Sequence, residues 1–315
     1  MLYSRAMKNV VISEEDLYNS LSKESEILSK YSYLGEGAKY WDALSKKWSM
    51  LNINTSDENT LIKKNLDNAI ASVIQRGVKG INIIDIGCGN GLTAKDILQE
   101  ILEQNVQVTY TAVDISKEMA SLAKNNIDKK IKAISTEVYI MDFEKDDLTK
   151  LREGLKPYYI NLVMILGNTL GNYKDPSKIL NNVMQLASKS DLILIGLANY
   201  QPDIKDSLLI SYSLKEELKL VCSTAKRIGI RLSDPSVSWN EKNQEVEIKA
   251  KTKQTLRIHH NNKDTIIESG SEILLLRSRR FTDELIKKVI SNSLLSNRHY
   301  KTYKGLSNSL VLIGN

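Results

Sequence analysis

The stretch Ile81–Gly91, INIIDIGCGNG, decides the fold, because it joins a buried strand to a glycine turn. INIIDI is short, nearly all apolar and rich in isoleucine, which is typical of a strand covered on both faces. The three glycines allow a sharp turn and let a ligand approach main-chain N–H groups where the helix LTAKDILQEILEQ begins. A G-x-G-x-G motif is weak evidence by itself, and a purely structural turn stays open as the alternative.

Strand-like and helix-like segments keep alternating on the C-terminal side of this unit. The strand-like segments are VQVTYTAVD, KAISTEVYIMDF, YYINLVMIL and DLILIGLA, and the helix-like ones are SKEMASLAKNN, which Ser116 can cap, and PSKILNNVMQLAS. This alternation predicts a parallel, doubly wound α/β sheet.

The alternation stops after Ala198, where a different module begins. DSLLISYSLKEELKLVCSTAKRIG predicts one long helix, and EVEIKAKTKQTLRI and TIIESGSEILLLRS predict antiparallel strands around the turn HHNNKD. TDELIKKVISNSLL and NSLVLIG then predict a closing helix and strand.

The N-terminal part predicts helices over residues 13–30 and 61–74, with an irregular segment, YSYLGEGAKYWDALSKKW, after the first of them. We therefore predict two domains. The sheet domain spans 57–199 and 278–315, and a second, smaller α+β domain is formed by the insertion 200–277 and the N-terminal arm 1–56.

Composition excludes several classes of protein. The 315 residues are 42% hydrophobic and 26% charged, which is typical of a soluble globular protein. Because the apolar stretches are shorter than a membrane span and no secretory segment opens the sequence, we expect a cytoplasmic protein without a membrane partner. The two cysteines and three histidines lack the spacing of a disulfide framework or a metal site. The net charge of +6 comes from scattered lysines, which favours a solvated surface over nucleic-acid binding.

Acidic side chains accompany the ends of the first three predicted strands. Asp85 lies two residues before the first glycine, Asp114 closes the second strand, and Asp142-Phe143 follows the third. Asp114 could accept hydrogen bonds from ribose hydroxyls, and Asp142 from an exocyclic amine while Phe143 packs on a purine. Alternatively, Asp114 could cap a helix, Asp142 start a turn and Phe143 fill the core. Their coincidence at successive strand ends favours a ligand site.

The glycine loop, the ribose acid and the adenine-edge acid together resemble the S-adenosylmethionine site of class I methyltransferases. This resemblance implies a class I methyltransferase (Rossmann-like) doubly wound sheet with S-adenosyl-L-methionine as the cofactor. The cofactor-binding residues that it implies are Asp85, Gly87, Gly89, Gly91, Asp114, Asp142, Phe143 and Gly167.

A second stretch, LGNTLGNY at residues 166–173, leaves the fourth strand at the edge of the sheet where ligands bind. Methyl transfer from a sulfonium is an in-line displacement, so the enzyme must hold a neutral nucleophile against the methyl group and exclude water. An asparagine suits this task, because it can accept from an amine N–H without favouring the ammonium ion. We expect Asn168 to satisfy loop backbone and Asn172 to contact the substrate.

LGNTLGNY is similar to the G-[ST]-T-I-G-N-[FY] segment of the histidine-specific Nα-methyltransferase family. YLGEGAKYWDAL and ESGSEILLLRSRRFT resemble two further segments of that family, Y-D-x-x-G-[SA]-x-L-F-D-x-I and G-E-x-[IL]-x-T-E-x-S-x-K-[FY]. With the glycine loop, these segments span most of the chain in the family's order. The resemblance implies a metal-independent enzyme that methylates the α-amino group of an amino acid.

Position by position, the resemblance implies substrate roles for five residues. Asn172 would contact the amino and carboxylate end of the substrate, and Tyr33 would lie near the reacting nitrogen, so these two are the candidate catalytic residues. Tyr212 would bind the carboxylate, Trp41 would line the pocket, and Ser278 would help to hold the substrate side chain.

Two pocket positions depart from the family. Leu276 stands where the family has the glutamate that binds the imidazole ring, and Met50 stands at or near a pocket tyrosine. A pocket without that carboxylate offers an imidazole N–H no partner. We therefore expect histidine to be a poor substrate and an apolar or aromatic side chain to be preferred.

Three neighbouring arginines leave an alternative open. Strand alternation places Arg277 and Arg279 on one face and Ser278 and Arg280 on the other. One of these arginines could reach the pocket and favour an acidic substrate, although solvated surface arginines are the more common arrangement.

The sequence thus predicts an S-adenosylmethionine-dependent N-methyltransferase that acts on a small amine, most simply the α-amino group of an amino acid or a derivative. Two alternatives stay open. One is a methyltransferase acting on RNA or protein, which only the basic charge balance favours, and the other is a catalytically silent protein that binds the methyl donor.

Overall fold

The computed structural model describes residues 12–50, 55–75, 77–132, 134–261 and 263–314. These residues divide into two compact units. The sheet unit, which contains the large sheet, comprises residues 48–200 and 281–314, and the smaller unit comprises 12–47 and 201–280. Residue 278, where the sequence placed a domain boundary, lies inside a strand of the smaller unit.

The described chain opens with α1 (Glu14–Glu24), a 3-10 helix (Ser29–Tyr33) and α2 (Glu36–Met50). The hydroxyl of Ser13 caps α1 by accepting a hydrogen bond from the Asp16 N–H at 3.2 Å. The predicted helix over 13–30 is too long, because Ser25 adopts a left-handed conformation (φ 49°) and ends α1. The prediction of an irregular segment after this helix was wrong, since α2 occupies most of that segment.

The sheet unit follows the predicted alternation. Its elements up to residue 198 are α3 (Thr55–Ile74), β1 (Gly80–Ile86), α4 (Leu92–Glu103), β2 (Gln107–Asp114), α5 (Lys117–Lys130), β3 (Ser135–Ile140), β4 (Ile160–Ile165), α6 (Pro176–Met184) and β5 (Leu192–Ala198). Ser116 caps α5 as predicted, its hydroxyl accepting a hydrogen bond from the Met119 N–H at 3.3 Å.

The segment after residue 198 is divided more finely than predicted. It contains α7 (Lys205–Tyr212), α8 (Lys215–Arg227), β6 (Ser236–Asn240), β7 (Glu245–Lys251), β8 (Leu256–His260), β9 (Lys263–Ile267) and β10 (Glu272–Arg279). The prediction of a single long helix was wrong, because Leu214 is extended (ψ 142°) and separates α7 from α8. Each long predicted strand is two strands: β7 pairs with β10, and β8 pairs with β9 around the HHNNKD turn.

The remaining elements are α9 (Asp283–Ser291), β11 (Tyr300–Lys304) and β12 (Asn308–Ile313). The strand order of the large sheet is β3-β2-β1-β4-β5-β12-β11, in which β1 to β5 are parallel and β12 runs antiparallel to both neighbours. This order confirms the predicted class I methyltransferase (Rossmann-like) sheet. The sequence missed β11 because YKTYK is almost entirely exposed and shows no buried apolar face.

Two separate cores cover the two faces of the large sheet. Because side chains alternate along a strand, Ile81 and Ile83 of β1 face one core while Ile84 and Ile86 face the other. Helices α3, α4 and α5 contribute to the first core, and α6 and α9 contribute to the second. The parallel strands therefore end together at one edge of the sheet, where the loops that follow them meet.

The smaller unit is built on the three-stranded sheet β10-β7-β6 and the hairpin β8-β9. Its apolar core joins both helical and strand residues, including Leu21 of α1, Val221 of α8 and Ile273 of β10. The pairing of β10 with β7 shifts by one residue between Leu274 and Leu276. From Leu276 onward the register is regular, so alternate residues of β10 share a face.

Candidate functional site

The glycine turn after β1 has the backbone that its sequence predicts. Gly87, Gly89 and Gly91 all have φ between 54° and 72°, a region that other residues rarely adopt. The N–H of Gly87 donates to the carbonyl of Val113 at 2.8 Å, which ties the turn to the end of β2. A Cβ at Gly91 would lie 2.9 Å from the Cα of Ala123. Gly91 is therefore fixed by packing of α4 against α5 as well as by its backbone.

Asp114 connects the end of β2 to this turn. Its carboxylate accepts hydrogen bonds from the Gly89 N–H at 3.2 Å and the Ser116 N–H at 2.9 Å. Burial raises the pKa of Asp114 to about 6, although these N–H donors favour the charged form. The carboxylate therefore holds the turn in place, and its oxygens keep lone pairs for a ligand's hydroxyl groups.

Asp85 lies one residue before the end of β1 and is buried beside the same turn. The Tyr110 hydroxyl donates to its carboxylate at 2.8 Å. Burial is the main cause that raises the pKa of Asp85 to about 7, and the nearby charge of Asp114 adds to it. Asp85 and Asp114 therefore lie close enough to interact electrostatically.

Glu58, in the first turn of α3, is a candidate site residue that the sequence analysis missed. Its carboxylate accepts hydrogen bonds from the Gly167 N–H at 3.1 and 3.3 Å, and it is 2% exposed. Burial raises its pKa to about 7, with a contribution from Asp85. A Cβ at Gly196 of β5 would lie 1.7 Å from Glu58 Oε1, so that glycine makes room for the carboxyl group. An acidic residue three positions before Leu61, on the apolar face of α3, was the available signal.

Asp142 and Phe143 follow β3, and the structure gives both of them local roles. The carboxylate of Asp142 accepts from the Glu144 N–H at 3.1 Å, which makes it a turn residue. Phe143 is buried in the second core, with its ring 5.6 Å from that of Tyr173. Its ring edge also lies 3.6 Å from where a Cβ at Gly87 would be. Phe143 therefore borders the glycine turn as well as the core.

The two asparagines of LGNTLGNY have different environments. Asn168 is buried and left-handed (φ 60°), and its side-chain oxygen accepts a hydrogen bond from the Ala198 N–H at 3.0 Å. This confirms the structural role expected for Asn168. Asn172 ends a 3-10 helix (Thr169–Asn172), is half-buried, and its amide makes no hydrogen bond to another described residue. Its donor and acceptor groups are therefore available to a ligand.

Two groups of predicted substrate residues come together within the smaller unit. The rings of Tyr33 and Trp41 meet edge to face, with centroids 5.5 Å apart. The Tyr212 hydroxyl donates to the Ser278 hydroxyl at 2.7 Å, so α7 and β10 meet through these side chains. The side chain of Met50 lies outside the described residues.

Leu276 is buried in the apolar core of the smaller unit, with 4% of its surface exposed. The arginines that follow it are not solvated, so the favoured surface interpretation was wrong. Arg277 and Arg280 are 8% and 3% exposed, and Arg279 is half-buried. Two of the three arginines form ion pairs with acidic side chains elsewhere in the smaller unit. These pairs compensate the charge of the buried guanidinium groups.

Glu217 of α8 is a second buried acid that the sequence analysis missed. It is 3% exposed, and its Oε2 atom makes no hydrogen bond to another described residue. Burial raises its pKa to about 8. Its neighbour Glu216 instead pairs with Lys47 at 3.5 Å, and nothing in the local sequence distinguishes the two glutamates.

Within the described residues, no helix has both the length and the apolar character needed to cross a bilayer. No group of three or more His, Cys, Asp or Glu side chains in this part of the chain is placed to hold a metal ion. Cys88 and Cys222 are free thiols.

A family model described as "histidine-specific methyltransferase, SAM-dependent" matches residues 13–219. Two curated relatives match shorter segments. A 5-methylorsellinic acid synthase from Aspergillus terreus is 39% identical over 49 residues, which cover 16% of this chain and 2% of that protein. A probable polyketide synthase 5 from Dictyostelium discoideum is 28% identical over 167 residues, which cover 47% of this chain and 7% of that protein. The chain thus spans a small part of these relatives.

Solved structures of methyltransferases are also similar to this chain at low sequence identity. A S-adenosylmethionine-dependent methyltransferase from Clostridium acetobutylicum is 11% identical with a TM-score of 0.42, covering 96% of this chain and 98% of that one. One from Anabaena variabilis is 14% identical with a TM-score of 0.43, covering 88% and 94%.

The sheet edge of this protein fits S-adenosylmethionine, whose sulfonium is cationic and whose ribose carries hydroxyl donors. Glu58, Asp85 and Asp114 are buried there, and no lysine or arginine of the described chain forms an ion pair with them. A Cβ at Gly167 would meet no atom within 4 Å, so the loop after β4 leaves space. Because the family model covers more than half of the chain, the protein belongs to the family of histidine-specific, S-adenosylmethionine-dependent methyltransferases.

Proposed function

We propose that this methyltransferase acts on the amino nitrogen of a small amine, most simply the α-amino group of an amino acid or a close derivative. The observation that carries the proposal is the half-buried amide of Asn172, which makes no hydrogen bond within the described chain. In the same loop, Asn168 is engaged by the backbone of Ala198. The loop thus presents one amide to a ligand, at the edge of the sheet where the methyl donor binds.

The chemistry of methyl transfer explains why an amide suits this position. The amine must be neutral to attack the methyl group, and a carboxylate beside it would stabilise the unreactive ammonium form. The Asn172 oxygen can instead accept from the amine N–H, which orients the nitrogen without charging it. Once bound, S-adenosylmethionine supplies the electrophilic methyl group, and the protein's contribution is to position the amine and exclude water.

Within this proposal the donor is held by residues of the sheet unit. Asp114 accepts hydrogen bonds from the ribose hydroxyls, and Asp142 and Phe143 bind the adenine. The turn around Gly89 lets the donor approach the backbone. Asp85 and Gly167 complete the set.

Further substrate roles are proposed for four residues of the smaller unit. Tyr33 is assigned to the reacting nitrogen, Trp41 to the wall of the pocket, and Tyr212 and Ser278 to the remainder of the substrate. Leu276 supplies no carboxylate for an imidazole, so histidine is a poor substrate.

The test is a competition among histidine, tryptophan, tyrosine, leucine and glutamate with one isotopically labelled methyl donor, followed by mass spectrometry. We expect label on the α-nitrogen of at least one amino acid and little on histidine. Donor binding without label on any amine would contradict the proposal and support a silent donor-binding protein. Label on added RNA instead, with affinity that falls steeply with salt, would support the nucleic-acid alternative.

A further inference from the structure

Strand β10 and the residue after it carry three arginines within four positions, and two of them have acidic partners. Arg277 pairs with Glu26 at 2.7 Å and lies 3.6 Å from Glu245. Arg279 pairs with Glu245 at 3.2 Å. These two carboxylates are therefore engaged by Arg277 and Arg279, and neither of them lies within ion-pair distance of Arg280.

Arg280 is more buried than Arg277 and Arg279, but its hydrogen-bond partners among the described residues are all neutral. Its Nη2 atom donates to the Tyr212 hydroxyl at 3.1 Å, and its Nη1 atom donates to the Ser278 hydroxyl at 2.9 Å. Weaker contacts join Nη1 to the carbonyls of Ser278 and Arg279, and the guanidinium carbon lies 5.5 Å from the centre of the Tyr212 ring. Across the described chain, no carboxylate lies within ion-pair distance of Arg280.

A guanidinium in this position requires an anion. Arginine stays charged in proteins, and a buried charge that lacks a counterion is strongly unfavourable. Two hydroxyl groups and an aromatic face reduce this cost without neutralising the charge. Leu276 lies on the same face of β10 as Ser278, and its apolar side chain brings no negative charge.

We propose that Arg280, held by Tyr212 and Ser278, binds a side-chain carboxylate of the substrate, so the preferred substrate is an acidic amine such as a dicarboxylic amino acid. The proposal rests on the proposed function, which already assigns Tyr212 and Ser278 to the substrate. A carboxylate fits better than a phosphate dianion, because Arg280 contributes a single positive charge that has no ion-pair partner in the described chain. The structure thus favours an acidic side chain over the apolar one predicted from the sequence.

Calorimetry distinguishes binding of the side-chain carboxylate from binding of the α-carboxylate. Glutamate, glutamine and the α-amide of glutamate are titrated into the full chain saturated with S-adenosylhomocysteine. We expect roughly 10- to 100-fold weaker binding of glutamine, which lacks the side-chain carboxylate, as for a lost charge-assisted hydrogen bond. A loss confined to the α-amide of glutamate would overturn the proposal. Equal binding of all three ligands to the wild-type protein would overturn the proposal without any mutant.

Variants test whether Arg280 causes the preference for glutamate over glutamine. The Arg280→Gln protein should bind the two ligands equally, whereas Arg280→Lys, which keeps the charge, should retain part of the preference. Arg279→Gln is the matched control, because Glu245 already compensates that arginine, and it should discriminate as the wild type does. A folded Arg280→Gln protein with the wild-type preference would show a purely structural role and overturn the proposal.

The two proposals fail in different ways. Binding of glutamate that depends on Arg280, without methylation of any amine, would contradict the proposed function and leave the carboxylate site in place. Methylation of leucine and glutamate at equal efficiency would contradict the carboxylate site and leave the N-methyltransferase in place.

Discussion

Asn168 and Asn172 are separated by four positions in one loop, and their side-chain amides differ in their hydrogen bonding. Asn168 satisfies a buried backbone N–H, whereas the half-buried amide of Asn172 makes no hydrogen bond to another described residue. The same residue type therefore has a structural role at one position and a proposed substrate role at the other, and the pair forms a natural control.

We predict that Asn172→Ala leaves donor affinity and thermal stability nearly unchanged while kcat/KM for the amine falls roughly 10- to 1000-fold, as when a positioning contact is lost. Asn168→Ala should instead lower the free energy of unfolding by about 1 to 3 kcal/mol, because the buried Ala198 N–H loses its acceptor. Calorimetry of donor binding, steady-state kinetics and thermal unfolding of both variants check this. Equal loss of donor binding in Asn172→Ala would place this loop in the cofactor site instead.

Asp114 provides a second test at the scale of one residue. Asp114→Ala removes the proposed ribose acceptor together with the acceptor for the Gly89 and Ser116 N–H groups, so donor affinity should weaken by about 1.5 to 3 kcal/mol. Asp147→Ala is the control, since Asp147 accepts from the Thr149 N–H in an exposed turn. Unchanged donor affinity in a folded Asp114→Ala protein would remove this residue from the site.

At the scale of elements, α2 shows how tertiary packing overrides a local signal. Gly35 and Gly37 indicate a break, yet α2 begins at Glu36 and continues through Gly37. A Cβ at Gly37 would lie 1.6 Å from the carbonyl oxygen of Ser32. The glycine is present because the start of α2 approaches the preceding 3-10 helix this closely.

This geometry predicts that Gly37→Ala destabilises the protein, although alanine has the higher helix propensity. Overlap with the Ser32 carbonyl should outweigh the gain and lower the free energy of unfolding by about 1 to 3 kcal/mol. Denaturant unfolding measures it, with Lys39→Ala at an exposed position of α2 as the control. A Gly37→Ala protein more stable than the wild type would mean that propensity decides this position.

At the scale of the whole molecule, buried acids couple stability to pH. Burial raises the pKa of Glu217 to about 8, from 4.5 for an exposed glutamate. The folded protein therefore binds this proton more tightly than the unfolded chain. The contribution to stability is complete below about pH 4.5 and is lost as the pH rises towards 8.

We therefore predict that Glu217→Gln raises the free energy of unfolding by a few kcal/mol at pH 8.5 and changes it little at pH 4.5, because each pKa unit corresponds to about 1.4 kcal/mol. Thermal unfolding at both pH values checks this. Glu216→Gln is the control, since Glu216 pairs with Lys47 and its pKa is lowered rather than raised, and it should show no gain at high pH. A gain from Glu217→Gln that is the same at both pH values would exclude linkage to its titration.

The amino-acid sequence by itself determined the large sheet and the edge at which its parallel strands end. Strands such as β1 and β5 are apolar throughout because both faces are covered, and helices such as α5 carry their caps, so local patterns were sufficient. The glycine turn and LGNTLGNY were recognisable because their chemistry lies within a few consecutive residues. Exposed β11 was missed because it carries no such pattern.

Only the tertiary structure decided which polar groups are buried and what compensates them. Glu58 meets Gly167 across 109 positions, and Arg277 meets Glu26 across 251, so no local pattern could reveal either contact. Arg280 looks like its neighbours in the sequence, but it differs from them in forming no ion pair with an acidic side chain of the described residues. Hydrophobic periodicity can be recognised from consecutive residues, whereas compensation of a buried charge depends on distant segments that folding brings together.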